Sequence, residues 1–214
     1  MNKSAIKVLL VDDHTLVRAG LKRVLEETPD IDVVAEASNG IDAIVEFERV
    51  VPDVVILDIS MPDMDGLETT KKLISQHPEA RILILTVYPE DYYAARVIKA
   101  GALGYLTKGT STMELHDAVR TVASGKRSLS QKSKDILILQ LLDKHTDFDS
   151  IQDLSDRELQ VLCLLAGGKK TREVANELGL SVKTIETYRA RVLGKLHLHT
   201  NLDIVRFAYQ HKLV

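Results

Sequence analysis

Two rhythms divide the chain. Up to about residue 125, short apolar runs alternate with longer stretches in which apolar residues recur every three or four positions. The runs are IKVLLV (6–11), DVVAEA (32–37), DVVILD (53–58), RILILT (81–86) and GYLT (104–107). Each has the length of a strand. Unbroken Val, Ile and Leu are buried on both faces, which a parallel sheet with helices on each side provides. Between the runs lie amphipathic helices. In TLVRAGLKRVLEE, the residues Leu16, Ala19, Leu21 and Leu25 have the spacing of a one-sided apolar face. The last helix, within STMELHDAVRTVASGK, has Ser111 or Thr112 as candidate cap and Gly125 as candidate stop. Five strand–helix units predict an α/β domain with a doubly wound, five-stranded parallel sheet over residues 1–125.

After Gly125 the strand pattern ceases. Residues 126–150 read as a helical linker, in which Ile136, Leu137, Ile138, Leu139, Leu141 and Leu142 nearly encircle a helix and call for burial against another domain or subunit. From 151 to 214 the pattern is that of a small all-α domain. Ser155 and Glu158 form a capping box, and Gly167-Gly168 ends a helix with Leu159, Leu162 and Leu165 on its apolar face. A short helix TREVANEL follows, then the turn GLS, with Ser181 capping VKTIETYRARVLGKL. Two helices joined by a tight glycine turn form a helix-turn-helix, whose second helix enters the DNA major groove. On that helix Val182, Ile185, Val192 and Leu196 point to the core, while Lys183, Thr184, Glu186, Thr187 and Arg191 project elsewhere. With Arg189 and Lys195 these are the DNA-binding candidates, hydroxyls suiting base edges and long bases suiting phosphates. Glu186 is an acid among them, fitted to accept from cytosine or to pair with a neighbouring arginine.

Charge sharpens this division. The 214-residue chain carries −3 overall and is 45% hydrophobic, which argues against a basic nucleic-acid coat or a disordered acidic tail. From residue 151 onward, ten bases stand against seven acids, a net of +3, so positive charge collects where DNA needs it. The lone cysteine, Cys163 within VLCLLA, excludes an internal disulfide and a cysteine-based zinc site and reads as a core thiol. His197 and His199 lack an evident third metal ligand and read as surface histidines. The N-terminal apolar run meets acids too early for a signal peptide or membrane span, so a cytoplasmic protein with no membrane contact is expected.

The remaining chemistry lies at the strand ends. In a doubly wound sheet ligands bind outside the carboxyl ends of the strands. The first strand ends in Asp12 and Asp13, the third in Asp58 and the fourth in Thr86, and Lys108 follows the fifth. Three carboxylates repel one another unless they share a cation, and oxygen ligands suit a hard ion such as Mg2+. A hydroxyl and an ammonium then face an anionic group. The combination suits phosphoryl transfer to a carboxylate nucleophile. Asp63 and Asp65, with Pro62 and Gly66, read instead as a turn and a helix cap.

These residues carry a resemblance. VDD at 11–13, Asp58 before SMPDMDG, Thr86, and GYLTK with Lys108 resemble the receiver domain of bacterial two-component response regulators, a flavodoxin-like fold. The resemblance implies that Asp58 accepts a phosphoryl group from a sensor histidine kinase. It implies Mg2+ held by Asp13, Asp58 and the Ser60 backbone carbonyl with Asp12 nearby, Thr86 and Lys108 on the phosphoryl oxygens, and Tyr105 as an aromatic that changes rotamer with Thr86. Tyr88 falls where the family tunes phosphoaspartate hydrolysis, and its ring is expected to limit water access. Gly109 departs from the Pro or Asp frequent after the lysine and makes that loop more permissive. The C-terminal block, especially LSDRELQVL and SVKTIETYRARVLGKL, resembles the LuxR-type helix-turn-helix, and its order after a receiver matches the NarL/FixJ subfamily. That implies promoter DNA as partner and a homodimer when phosphorylated or DNA-bound, formed through the last helix by Ile204, Val205 and Ala208. A phosphatase of the haloacid-dehalogenase type also uses a strand-end Asp, but needs an acid two residues later; Ser60 stands there, so no turnover enzyme is expected, only self-catalysed transfer and slow autodephosphorylation. A receiver controlling a protein-interaction module without DNA is the further alternative.

Overall fold

Five strands form: β1 (Ile6–Val11), β2 (Ile31–Ala37), β3 (Val54–Leu57), β4 (Ile82–Thr86) and β5 (Gly104–Thr107). They belong to a computed structural model that describes residues 5–142, 151, 153–211 and 213. All pair in parallel in the order β2-β1-β3-β4-β5. The order reverses at β1, and in sheets of this kind ligands bind at the carboxyl edge beside the reversal. Residues of β1, β3 and β4 are buried almost throughout, as their unbroken apolar runs require, whereas the edge strand β2 alternates buried with exposed positions.

Helices α1 (Thr15–Leu25) and α5 (Thr112–Ala123) cover one face, where Leu25, Leu115 and Val119 meet Val8, Leu10, Ile56 and Leu83. On the other side α2 (Gly40–Val50), α3 (Gly66–Gln76) and α4 (Glu90–Lys99) lie side by side. Ser111 caps α5 through a capping box with Glu114, and Gly125 follows its end at φ 75°, the left-handed conformation of a helix stop. The apolar face expected on α1 forms in its second half, where Leu21 and Leu25 meet the core, and fails in its first. Leu16 is 89% exposed and Ala19 is also exposed; of the helix, Leu25 is the fully buried residue. The buried end of α1 is its last turn, where Leu25 joins the core.

Beyond α5 the chain returns to the free edge of β5. Ser128 bridges Gly104 in parallel, donating its N–H to the Leu103 carbonyl at 2.9 Å and accepting from the Tyr105 N–H at 3.2 Å. Helix α6 (Gln131–Leu142) follows. The hydroxyls of Ser130 and Ser133 donate to one Glu90 carboxylate oxygen at 2.5 and 2.6 Å, and Lys132 Nζ lies 2.7 Å from Asp91 Oδ2. The chain forms two compact units, Met1–Leu137 and Ile138–Val214, so the first runs past 125. Of the apolar ring expected on α6, Ile136 and Leu137 are half-buried and Ile138 is 52% exposed. The side chains of Leu139, Leu141 and Leu142 and the segment 143–150 lie outside the described residues.

The second unit holds α7 (Asp156–Ala166), α8 (Thr171–Glu177), α9 (Val182–Lys195) and α10 (Asn201–Gln210). Helix α7 is its centre. All residues from Glu158 to Ala166 are buried, with α8, α9 and α10 packed around them. Ser155 makes the expected capping box with Glu158, Gly168 at φ 86° turns the chain after α7, and Ser181 caps α9. Gly179, at φ 65°, makes the tight turn between α8 and α9.

Candidate phosphoacceptor site and DNA-reading helix

Register brings the strand-end residues together. Val11 pairs with Leu57, so Asp12 and Asp58 follow adjacent strand ends, and the Asp58 N–H donates to the Val11 carbonyl at 3.0 Å. Thr86 pairs with Thr107, and the Lys108 N–H donates to the Thr86 carbonyl at 2.7 Å. Asp12 and Asp58 are 1% and 2% exposed, Thr86 is fully buried, and Asp13 is half-buried. The Lys108 ammonium donates to Asp58 Oδ2 at 2.5 Å and lies 2.7 Å from Asp12 Oδ2. Asp58 Oδ1 accepts from the N–H groups of Ile59 at 2.7 Å and Ser60 at 3.4 Å. Burial would lower the Lys108 ammonium, but the Asp58 and Asp12 carboxylates outweigh it and hold it above its usual range. Burial, with the like charges of Asp12 and Asp58, raises Asp13 against the lowering pull of His14.

The loop after Asp58 is held close. Asp65 caps α3 by accepting from the Glu68 N–H at 2.8 Å, and Asp63 takes the left-handed conformation at φ 62°. At Gly66 the chain passes so near Asp58 that a Cβ would lie 2.0 Å from the Asp58 carbonyl oxygen. Gly109 is different: nothing lies within 4 Å of the position of a Cβ, so space does not dictate a glycine there. Tyr105 is buried, and its hydroxyl donates to the Tyr88 carbonyl at 2.7 Å. Burial, with Glu90 and Asp58 nearby, holds that phenol well above its ordinary pKa. The Tyr88 ring is stacked on Tyr93, centroids 4.7 Å apart, which makes it a core contact as well.

The donor set fits a hard divalent cation. Asp12, Asp13 and Asp58, joined by His14, offer ligand atoms all within 4.8 Å of one another, and among the described residues no other such group occurs. Asp13 Oδ1 is buried without a hydrogen bond, as is the Thr86 hydroxyl. Buried acceptors left open among like charges are what an oxygen-liganded cation satisfies. Reading by sequence missed His14, although it directly follows the paired acids.

On α9, Ile185 and Val192 are fully buried and Leu196 is 7% exposed, while Val182, expected inside, is 45% exposed because it lies in the helix's first turn. Lys183, Glu186, Thr187 and Arg191 are exposed, and Thr184 and Arg189 are half-buried. Glu186 is within 3.3 Å of Arg189, which also donates to Asn201 Oδ1 at 2.6 Å. This acid thus pairs with an arginine of its own helix. Lys195 points into its own domain, donating to Glu158 Oε2 at 2.7 Å and the Asp153 carbonyl at 2.9 Å. Tyr188, not singled out from sequence, has the Arg191 guanidinium 6.0 Å from its ring centre, the i,i+3 spacing being the available signal.

The dimerisation residues need correcting. Ile204 and Ala208 are fully buried, since they sit four apart on the side of α10 that packs on α7. No partner can reach them. The apolar residues facing outward on α10 are Leu202 (57% exposed), Val205 (37%) and Tyr209 (77%).

A parallel five-stranded sheet with buried acids at its carboxyl edge, followed by a helix-turn-helix, defines a class. The chain belongs to the bacterial two-component response regulators: residues 8–120 match the response regulator receiver domain, and residues 152–208 match the bacterial regulatory proteins of the luxR family. Among its relatives, the response regulator UvrY of Escherichia coli strain K12 is 40% identical over 208 residues, covering 97% of this chain and 95% of that protein. The response regulator GacA of Pseudomonas syringae pv. syringae strain B728a is 36% identical over 209 residues, 98% of each. The crystal structure of ChrA, the response regulator of a heme-sensing two-component system, matches with a TM-score of 0.55 and 33% identity, over 99% of this chain and 100% of that one. Among the described residues no helix is long and apolar enough to cross a membrane.

Proposed function

We propose that Asp58 is the phosphoryl acceptor of this response regulator and that its phosphorylation favours a dimer that binds promoter DNA through α9. The observation that carries the reading is the Lys108 ammonium donating to Asp58 Oδ2 at 2.5 Å, beside Asp12, Asp13 and Thr86 at one sheet edge. An Asp58 carboxylate oxygen attacks the phosphorus of a phosphohistidine on a sensor histidine kinase. The O–P bond forms and the P–N bond breaks, its electron pair leaving on the imidazole nitrogen. Asp12, Asp13, Asp58 and the Ser60 carbonyl would hold Mg2+, which neutralises phosphoryl oxygens when bound. Lys108 then turns from carboxylate to phosphoryl oxygen, and the unbonded Thr86 hydroxyl donates to another, drawing Tyr105 with it. The protein shifts between pre-existing states. It is a switch with slow autodephosphorylation rather than a turnover enzyme, since Ser60 cannot do the acid–base work of a phosphatase carboxylate. It acts in the cytoplasm.

In the groove, Lys183, Thr187 and Arg191 form the reading face of α9, with Thr184 and Arg189 at its side and the pair Glu186–Arg189 setting the arginine's reach. The outward face of α10, with Val205, joins two copies on paired half-sites. The test is labelling by a radioactive small phosphodonor with Mg2+: Asp58→Ala abolishes it, and label persisting in that variant places the acceptor elsewhere.

A further inference from the structure

His14 stands at the mouth of the acidic site and is assigned no role by the phosphoacceptor chemistry. It is the N-cap residue of α1, yet its side chain makes no cap hydrogen bond. Its backbone N–H donates to Asp12 Oδ1 at 2.8 Å, which fixes where the imidazole starts from. Nδ1 lies 2.8 Å from Asp13 Oδ1 and 3.5 Å from Asp12 Oδ1. The first of these contacts is as short as a hydrogen bond, but Asp13 Oδ1 remains a buried acceptor without one. The imidazole and the carboxylate therefore lie side by side without the alignment of donor and acceptor. The imidazole nitrogen and the carboxylate oxygens of Asp12, Asp13 and Asp58 all lie within 4.8 Å of one another, within reach of one shared cation. The His14 ring is 58% exposed, so it has room to adjust.

We propose that His14 is a nitrogen donor to the divalent cation of this site and tilts its preference from Mg2+ toward borderline ions such as Mn2+. The inference rests on the metal-assisted acceptor reading given above. Carboxylate and carbonyl oxygens alone suit Mg2+, which binds nitrogen poorly. An imidazole adds affinity for first-row transition ions, which take nitrogen and oxygen together. Asp13, whose carboxylate the neighbouring acids crowd, is the shared ligand through which the imidazole would meet the ion.

The test uses the full-length chain. Mg2+ and Mn2+ affinities are measured by titration calorimetry for the unaltered protein, His14→Ala and Asp13→Asn, and the Mn2+-loaded forms are examined by electron spin-echo modulation for directly bound 14N. In His14→Ala, Mn2+ binding should weaken by about tenfold while Mg2+ binding changes by less than about twofold. The 14N modulation should be present in the unaltered protein and lost in the variant. An equal change for both ions, no change for either, or a 14N signal that survives the substitution overturns the inference. Asp13→Asn separates it from the reading beneath it. If that variant binds both ions as before, the metal-site reading falls and this inference with it. If it loses both while His14→Ala leaves their ratio alone, the His14 inference alone falls. His14 is an exposed side chain, and unchanged thermal melting of its variant excludes a folding defect.

Discussion

Gly66 lacks a side chain because the chain must pass over the Asp58 carbonyl, where a Cβ would lie 2.0 Å from the oxygen. Gly66→Ala is expected to destabilise the receiver by about 1–3 kcal/mol, read by urea or thermal melting, and to slow phosphodonor labelling of Asp58. Stability and labelling unchanged from the natural chain would mean that the loop relaxes freely and does not hold the acceptor. Sequence made the cluster at the sheet edge legible because Asp12, Asp58, Thr86 and Lys108 each end or follow an apolar run, and a parallel sheet aligns such ends. The spacing of turn residues made Asp65 legible as a cap. His14 and the orientation of Ile204 and Ala208 were not legible. The first depends on a side-chain rotamer, the second on which face of an amphipathic helix meets α7 and which meets solvent.

Elements follow the same division. The apolar runs forecast β1, β3 and β4 closely, because full burial on both faces leaves an unbroken hydrophobic signature. Helix α1 departs from its pattern at Leu16, which is exposed although its spacing matches Leu21 and Leu25, because spacing gives the face of a helix and not how far along it the core extends. Helix α7 departs in the other direction: three leucines marked one face, but three neighbouring helices bury it on all sides, Glu158 and Gln160 included. Glu158 then has a structural role with a pH signature. Burial works to raise it, but bonds from Lys195 and from the Ser155 N–H and hydroxyl outweigh that and hold it below its ordinary 4.5. A carboxyl lowered by folding adds stability above its unfolded pKa, and that stability is lost as pH falls through the folded value. Thermal melting of the C-terminal unit should therefore weaken as pH drops below about 4.5, its unfolded reference. In Glu158→Gln the same unit should melt lower at pH 7, with less of that acid dependence. Parallel pH curves for the two proteins would remove the ion pair from α7's stability.

At the scale of the whole molecule, a chain of −3 overall carries +3 from residue 151 onward, so DNA binding should fall steeply with salt. In fluorescence anisotropy with promoter DNA, Lys183→Ala should weaken binding and reduce the salt slope by about one counterion, and Thr187→Ala should weaken it with little change of slope. Lys195→Ala should act mainly through lost stability, because its ammonium is held by Glu158 and Asp153. Unchanged binding in both Lys183→Ala and Thr187→Ala would take α9 out of the groove. The helix-turn-helix was legible from capping residues and the glycine turn.

The Ser128 bridge and the two serines on Glu90 bear on how such a protein can be taken apart and rejoined. A hybrid regulator cut at residue 125 would strip the β5 edge of its Ser128 bonds and leave Glu90 without either hydroxyl. A cut that keeps these bonds must therefore fall later, beyond Ser133. The front half thus carries the opening turn of its own connector, and an exchange of output domains that keeps the receiver intact has to bring that turn along.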